Sequence, residues 1–134
     1  MASNLNYSNG TRNAQQQGLI TYAGADAIVF IYSGAQPATA NTAISGQTVL
    51  CQMAIGGAFG TDSNGTLTIT TPISGTASAS GTASFFRITK SNGSTVVMDG
   101  SIGTTDADLI LDTTTINNTQ TVTISSGTII RNNI

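Results

Sequence analysis

Aspartates are the side chains in this sequence best suited to acid–base or metal chemistry, since it has six acids, all aspartate, and no histidine. A serine or cysteine nucleophile normally needs an imidazole to accept its proton, so that class of enzyme is excluded within one chain. Paired-carboxylate hydrolysis needs two acids, one with a raised pKa, and the aspartate spacing selects no pair. A Ser–Lys dyad at Lys90 stays open, although Lys90 flanks a predicted hairpin turn and is expected in solvent. We therefore predict no catalytic residues and no enzyme.

Metal and cofactor sites are equally poorly supported. Asp99, Asp106, Asp108 and Asp112 bracket a turn at residues 100–103. Calcium takes six to eight oxygen ligands, so one reading is a weak calcium site there and the other is solvated aspartates at strand ends. The spacing matches no known calcium loop, which favours the second reading. With one cysteine and no histidine, zinc and iron sites lack ligands. We expect no metal and no cofactor.

Two further segments have simple structural readings. Cys51 alternates with Val49 and Met53, a pattern typical of a buried small hydrophobic residue in a strand. The glycine-rich segment 56–60 lacks the lysine and following helix of a phosphate-binding loop, so we interpret it as a turn or bulge.

Composition excludes several classes of partner. The 134 residues fit one domain, and only 7% of them are charged, with a net charge of −2. Four scattered cations cannot form the basic patch that nucleic-acid binding requires, so we expect no nucleic acid. No apolar run approaches the length of a membrane span, so we expect no membrane partner, and without a signal-peptide pattern we expect folding in a cytoplasm. A weakly charged surface suits a protein packed beside copies of itself.

The elements begin with a polar arm and a helix. Residues 1–11 are rich in Asn and Ser and are predicted to form an N-terminal arm, followed by a single domain over residues 12–134. Residues 12–25 predict one short helix, capped by Asn9 or Thr11.

The rest of the chain favours strands, because β-branched residues alternate with polar ones between Gly, Asn and Ser. The pattern predicts an all-β fold, a β-sandwich or jelly roll of about eight strands. Asn64-Gly65 and Asn92-Gly93 predict tight turns, and the repetitive segment 74–84 predicts a flexible loop. The predicted strands lie at residues 27–32, 49–55, 66–70, 82–90, 95–99, 108–112, 120–125 and 127–132.

Candidate interface residues follow from this arrangement. Phe85 and Phe86 are adjacent on a predicted strand and point to opposite faces, so one of them enters the core and Phe85 becomes a candidate surface contact. Leu5 and Tyr7 are apolar anchors on the polar arm, of the kind that order by binding a neighbour. The interface candidates are Leu5, Tyr7, Arg12 and Phe85.

Three segments resemble small proteins of tailed bacteriophages. They are Tyr-Ser-Asn-Gly-Thr-Arg-Asn-Ala at residues 7–14, Ala-Ile-Val-Phe-Ile-Tyr-Ser-Gly-Ala-Gln-Pro-Ala at residues 27–38 and Gly-Thr-Ala-Ser-Phe-Phe-Arg-Ile at residues 81–88. In those proteins a short helix precedes a strand ending in a Tyr-Ser/Thr-Gly-x-x-Pro turn, and a later Gly-Thr-Ala-x-x-Phe-Arg-Ile strand leads to a hairpin. The resemblance is to the head-decoration, or capsid cement, family, and residues 15–18 depart from its pattern.

This resemblance implies a β-sandwich or jelly-roll domain on the exterior of the capsid in the virion, made in the host cytoplasm. It implies that the major capsid protein is the partner and that the chain stabilises the mature head. Copies are expected to associate as dimers or trimers, because closed symmetry is usual for identical chains. The alternative is a phage tail or receptor-binding β-module.

Overall fold

The structure is a computed structural model that describes residues 5–130. It contains one helix, α1 (Asn9–Ala23), in this part of the chain. The strands are β1 (Ile28–Ser33), β2 (Thr48–Ala54), β3 (Gly60–Ser63), β4 (Thr66–Ile69), β5 (Ile73–Thr76), β6 (Gly81–Thr82), β7 (Phe85–Thr89), β8 (Val96–Gly103), β9 (Leu109–Leu111), β10 (Thr115–Ile116) and β11 (Thr121–Ile130).

Nine of these strands form one curled sheet, in the order β2-β1-β7-β8-β9-β11-β4-β3, with β5 on the same side of β11 as β4. All the pairings are antiparallel except β8 with β9. After β5 the chain returns to β2, where Ala77 bridges to Cys51, so the sheet curls towards closure. The predicted all-β, sandwich-like fold with one short helix is confirmed. Strands β6 and β10 form a separate pair.

The core lies inside the curled sheet, and the predicted alternation accounts for it. Cys51 and Met53 are buried while Gln52 and Ala54 are exposed, and Leu67 and Ile69 are buried on a strand whose Thr68 faces solvent. The last two predicted strands are one strand, β11, with a register shift between Ile124 and Ser126. Residues 131 and 132 of that prediction lie outside the described part of the chain.

Helix α1 begins earlier than the sequence predicts. Ser8, in extended conformation (φ −63°, ψ 160°), is the N-cap, and its hydroxyl accepts a hydrogen bond from the Thr11 amide at 3.1 Å. The predicted cap at Asn9 or Thr11 is therefore wrong, because Ser8 satisfies the free amide of the first turn. The last three residues of the predicted arm are helical, and residues 1–4 lie outside the described residues.

The sequence predicts that segment 74–84 is a flexible loop leading into a strand. The following strand, β7, does form, but the segment itself contains most of β5 and all of β6. Its small residues permit close approach to β2, since a Cβ on Gly75 would lie 2.9 Å from the Gln52 carbonyl oxygen. The Ser78 amide also donates to the Leu50 carbonyl at 2.8 Å. The loop prediction is wrong because composition alone does not show that this backbone pairs with β2, β10 and β11.

The two Asn-Gly turns form as predicted. Asn64 and Gly65 join β3 to β4 with φ values of 50° and 80°. Gly93 has a φ of 77° between β7 and β8, and the Asn92 carboxamide oxygen accepts hydrogen bonds from the amides of Ser94 and Thr95, each at 2.9 Å. Both turns use the left-handed conformations that Asn and Gly tolerate.

Candidate functional site

Two of the four aspartates considered as calcium ligands, Asp106 and Asp108, line a common pocket. Asp99 is paired with Arg87, and Asp108 accepts hydrogen bonds from the Ser101 amide and hydroxyl at 2.9 and 3.1 Å. Asp112 accepts from the Thr113 amide at 3.0 Å. Among residues 5–130 there is no group of three or more His, Cys, Asp or Glu side chains that could hold a metal ion. Asp99, Asp108 and Asp112 thus each take part in a local structural contact.

Cys51 and Lys90, the two side chains considered for nucleophilic chemistry, are both engaged in structural contacts. Cys51 is buried in the core, and burial raises the pKa of its thiol, which disfavours the reactive thiolate. The ammonium group of Lys90 lies 4.0 Å from the centre of the Tyr22 ring, a cation–π contact in which Tyr22 is exposed and Lys90 is half-buried. This geometry gives no support to a Ser–Lys dyad at Lys90.

Phe85 is fully buried, with 0% exposure, so its prediction as an interface residue is wrong. Its ring stacks on Tyr32 with a centroid distance of 5.0 Å and an interplanar angle of 10°. Phe86 enters the main core from the other face of β7. Both faces of β7 are covered, since all five of its residues are buried.

An ion pair lies on the same face of β7 as Phe85, and the sequence did not predict it. Arg87 donates to Asp99 through Nε at 2.6 Å and Nη2 at 2.8 Å, and Nη2 also donates to the Thr42 carbonyl at 2.9 Å. Both side chains are almost completely buried, at 6% and 4% exposure. The hydrogen bond to Asp99 raises the pKa of Arg87 against the opposing effect of burial. A two-pronged geometry of this kind is the strong form of an ion pair.

The exposed large apolar side chains in the described chain lie on the arm, on α1 or beside α1. Leu5 and Tyr7, predicted as interface residues, are 59% and 37% exposed, and Tyr22 and Ile130 are 51% and 56% exposed. Leu5 and Tyr7 therefore present apolar surface to solvent, and their role in an interface stays a prediction.

Arg12, the remaining interface candidate, is half-buried against the β3–β4 turn. A Cβ on Gly65 would lie 2.5 Å from its Nε, so the guanidinium is closely applied to that glycine. The Asn9 side chain accepts a hydrogen bond from Nη1 of Arg12 at 3.2 Å. Arg12 therefore helps to pack α1 against the β3–β4 turn, and only part of its side chain is at the surface.

A groove of about 450 Å³ runs beside α1, lined by Gln15, Gln16, Leu19, Ile129 and Ile130. Its polar wall is rigidly built, because Nε2 of Gln16 donates to the carbonyls of Gly65 at 2.7 Å and Ile129 at 2.8 Å. Gln16 is one of three consecutive glutamines, and no sequence signal distinguishes it from its exposed neighbour Gln17.

We expect Gln16→Ala to lower the free energy of unfolding by about 1–3 kcal/mol, because two carbonyl oxygens around the groove lose their donor. Gln17→Ala is the matched control, since Gln17 is exposed and bonds only the side chain of Asp62 at the surface. It should change stability by less than about 0.5 kcal/mol. Urea denaturation of both variants measures the difference, and equal losses would show that the buried amide does not anchor α1.

Within residues 5–130 no helix is long and apolar enough to cross a membrane. Comparison of the chain with protein-family models, with curated proteins and with solved structures finds no match.

Proposed function

We propose that this chain is a virion structural protein of a tailed bacteriophage, a decoration or cement protein that binds the outside of the mature capsid. The observation that carries the proposal is the short uncharged arm with exposed Leu5 and Tyr7, attached through a capped helix to a weakly charged β-domain. The resemblance of residues 7–14, 27–38 and 81–88 to that family supports the same function.

The proposed mechanism is mechanical. Each copy bridges neighbouring subunits of the major capsid protein, so that outward movement of the shell under the pressure of packaged DNA must also break the copy's own contacts. An interface of about 800 Å² per partner is ordinary for specific association. Because copies that bridge two subunits bind through more than one contact, modest individual affinities suffice.

The domain suits a mechanical role in stabilising the capsid more than a catalytic role. Asp108 and Asp112 are engaged in local hydrogen bonds, Asp99 lies in the buried ion pair, and the Cys51 thiol is in the core. The low charge leaves little repulsion between copies on a crowded surface. We propose that copies associate with one another as dimers or trimers around symmetry axes.

The test is the number of copies of this chain in purified particles, measured by quantitative mass spectrometry against the major capsid protein. A decoration protein is expected at about one copy per few capsid subunits, as repeated closed symmetry requires. A handful of copies per particle would assign the chain to the tail, the alternative module. Absence from particles would overturn the structural proposal as a whole.

A further inference from the structure

The connection between β1 and β2 is much longer than its geometry needs. The two strands are antiparallel neighbours, and β1 ends at Ser33 while β2 begins at Thr48. Such neighbours can be joined by about two residues, and hairpin loops of 2–5 residues are usual. Residues 34–47 form no helix or strand. Loops this long in compact domains commonly carry function. We call residues 34–47 the β1–β2 loop.

The β1–β2 loop is fixed at both ends and in the middle. The Ser84 hydroxyl donates to the Gly34 carbonyl, and Nε2 of Gln47 donates to the Ala35 carbonyl at 2.7 Å. The Thr42 amide donates to the Thr39 carbonyl at 3.0 Å, which closes a turn at the tip. Preorganisation of this kind removes the entropic cost that a mobile loop would meet on binding.

The middle of the loop is held from beneath by the guanidinium of Arg87, through the hydrogen bond to the Thr42 carbonyl. Desolvating an ion pair gives no clear stability advantage over packing two apolar side chains in the same place. The pair does supply a directed donor that sets the position of the loop. Because Asp99 neutralises Arg87 below the surface, the loop lies over no net charge.

The surface that the loop presents carries no charge of its own. Residues 27–61, which include β1, the loop and β2, contain no Asp, Glu, Lys or Arg. The loop also contains no aromatic residue. A glycan site would require a ring for stacking and a nucleic-acid site would require cations, so this surface fits a protein partner. Its exposed side chains are small or polar, and they include the amides of Gln36 and Asn41.

We propose that the β1–β2 loop is the surface through which copies of this chain contact one another around a rotation axis. At such an axis each residue approaches its own symmetry mate, so any ionisable side chain would face a like charge. An ordered loop of hydroxyl, amide and methyl groups meets a copy of itself without that repulsion. The inference rests on the self-association included in the proposed function and adds the surface that performs it.

The test introduces charge of either sign on the β1–β2 loop. Gln36→Glu with Asn41→Asp replaces two exposed amides by carboxylates of the same size, and Gln36→Lys with Asn41→Lys introduces the opposite charge. Sedimentation velocity on the wild-type chain up to about 100 μM should show a dimer or trimer, within the affinity range of weak association. Each charged variant alone should dissociate with at least a tenfold higher Kd. An equimolar mixture of the two should associate again.

The matched control is Asn118→Asp, an exposed amide-to-acid change outside the β1–β2 loop, which should leave the association unchanged. A monomeric wild-type chain would overturn the proposal, as would charged variants that associate normally. Charged variants that keep their oligomeric state and lose capsid binding would assign the loop to the capsid instead. The association experiment uses no particles, so its outcome does not depend on the copy number in virions. A low copy number would refute the decoration function without deciding whether the loop mediates self-association.

Discussion

Replacement of Arg87 by methionine is expected to lower the free energy of unfolding by about 3–5 kcal/mol, because it leaves the buried Asp99 carboxylate without its partner. Methionine fills a similar volume, so the loss reports on charge more than on packing. The total stability of a domain is about 5–15 kcal/mol, and a change of this size is a large fraction of it. Guanidinium denaturation followed by circular dichroism measures it.

The second variant in this test is Arg87→Met combined with Asp99→Leu. With both charges removed no buried ion remains, so the double variant should recover at least about 2 kcal/mol of the loss, since replacing a buried pair by apolar residues is often neutral. The Thr42 carbonyl loses its donor in both variants, which makes the comparison between them specific to Asp99. A double variant as unstable as Arg87→Met would contradict this account.

Deletion of residues 2–7 is expected to abolish binding to capsids while leaving the domain folded. Leu5 and Tyr7 are exposed and lie outside the core, so the domain should keep its cooperative unfolding transition without them. The sequence alone suggests deletion as far as Thr11. The structure moves the boundary to residue 7, because Ser8 caps α1 and residues 9–11 form its first turn. Co-sedimentation with capsids lacking this chain measures binding.

A finer version replaces only the apolar anchors, as Leu5→Ser with Tyr7→Ser. Burying an aliphatic or aromatic side chain contributes about 1.5–3 kcal/mol, so losing two anchors should weaken capsid binding at least a hundredfold. The matched control within the same arm is Leu5→Met with Tyr7→Phe, which keeps both side chains apolar and should bind normally. Binding by the deletion variant at the level of the wild-type chain would remove the arm from the capsid contact, while the copy number in particles would still decide the function itself.

Much of the fold follows from the sequence because its determinants are local. Alternation of Cys51 and Met53 with Gln52 assigns the buried face of β2, since side chains in a strand alternate with a period of two. Asn64-Gly65 locates a turn because few other residue pairs tolerate its backbone conformation. Likewise, the missing histidine limits the available chemistry whatever the fold.

The features that carry the proposals depend on contacts between residues far apart in the chain. Gln16 becomes a buried anchor only because Gly65 and Ile129 converge on it, and Arg87 becomes a buried cation only because Asp99 and Thr42 meet it across β7, β8 and the β1–β2 loop. The sequence determined which residues alternate, where the chain turns and which chemistries are absent. Only the tertiary structure decided which polar side chains are buried and which apolar ones stay exposed, because burial depends on the strand order and curvature of the whole sheet.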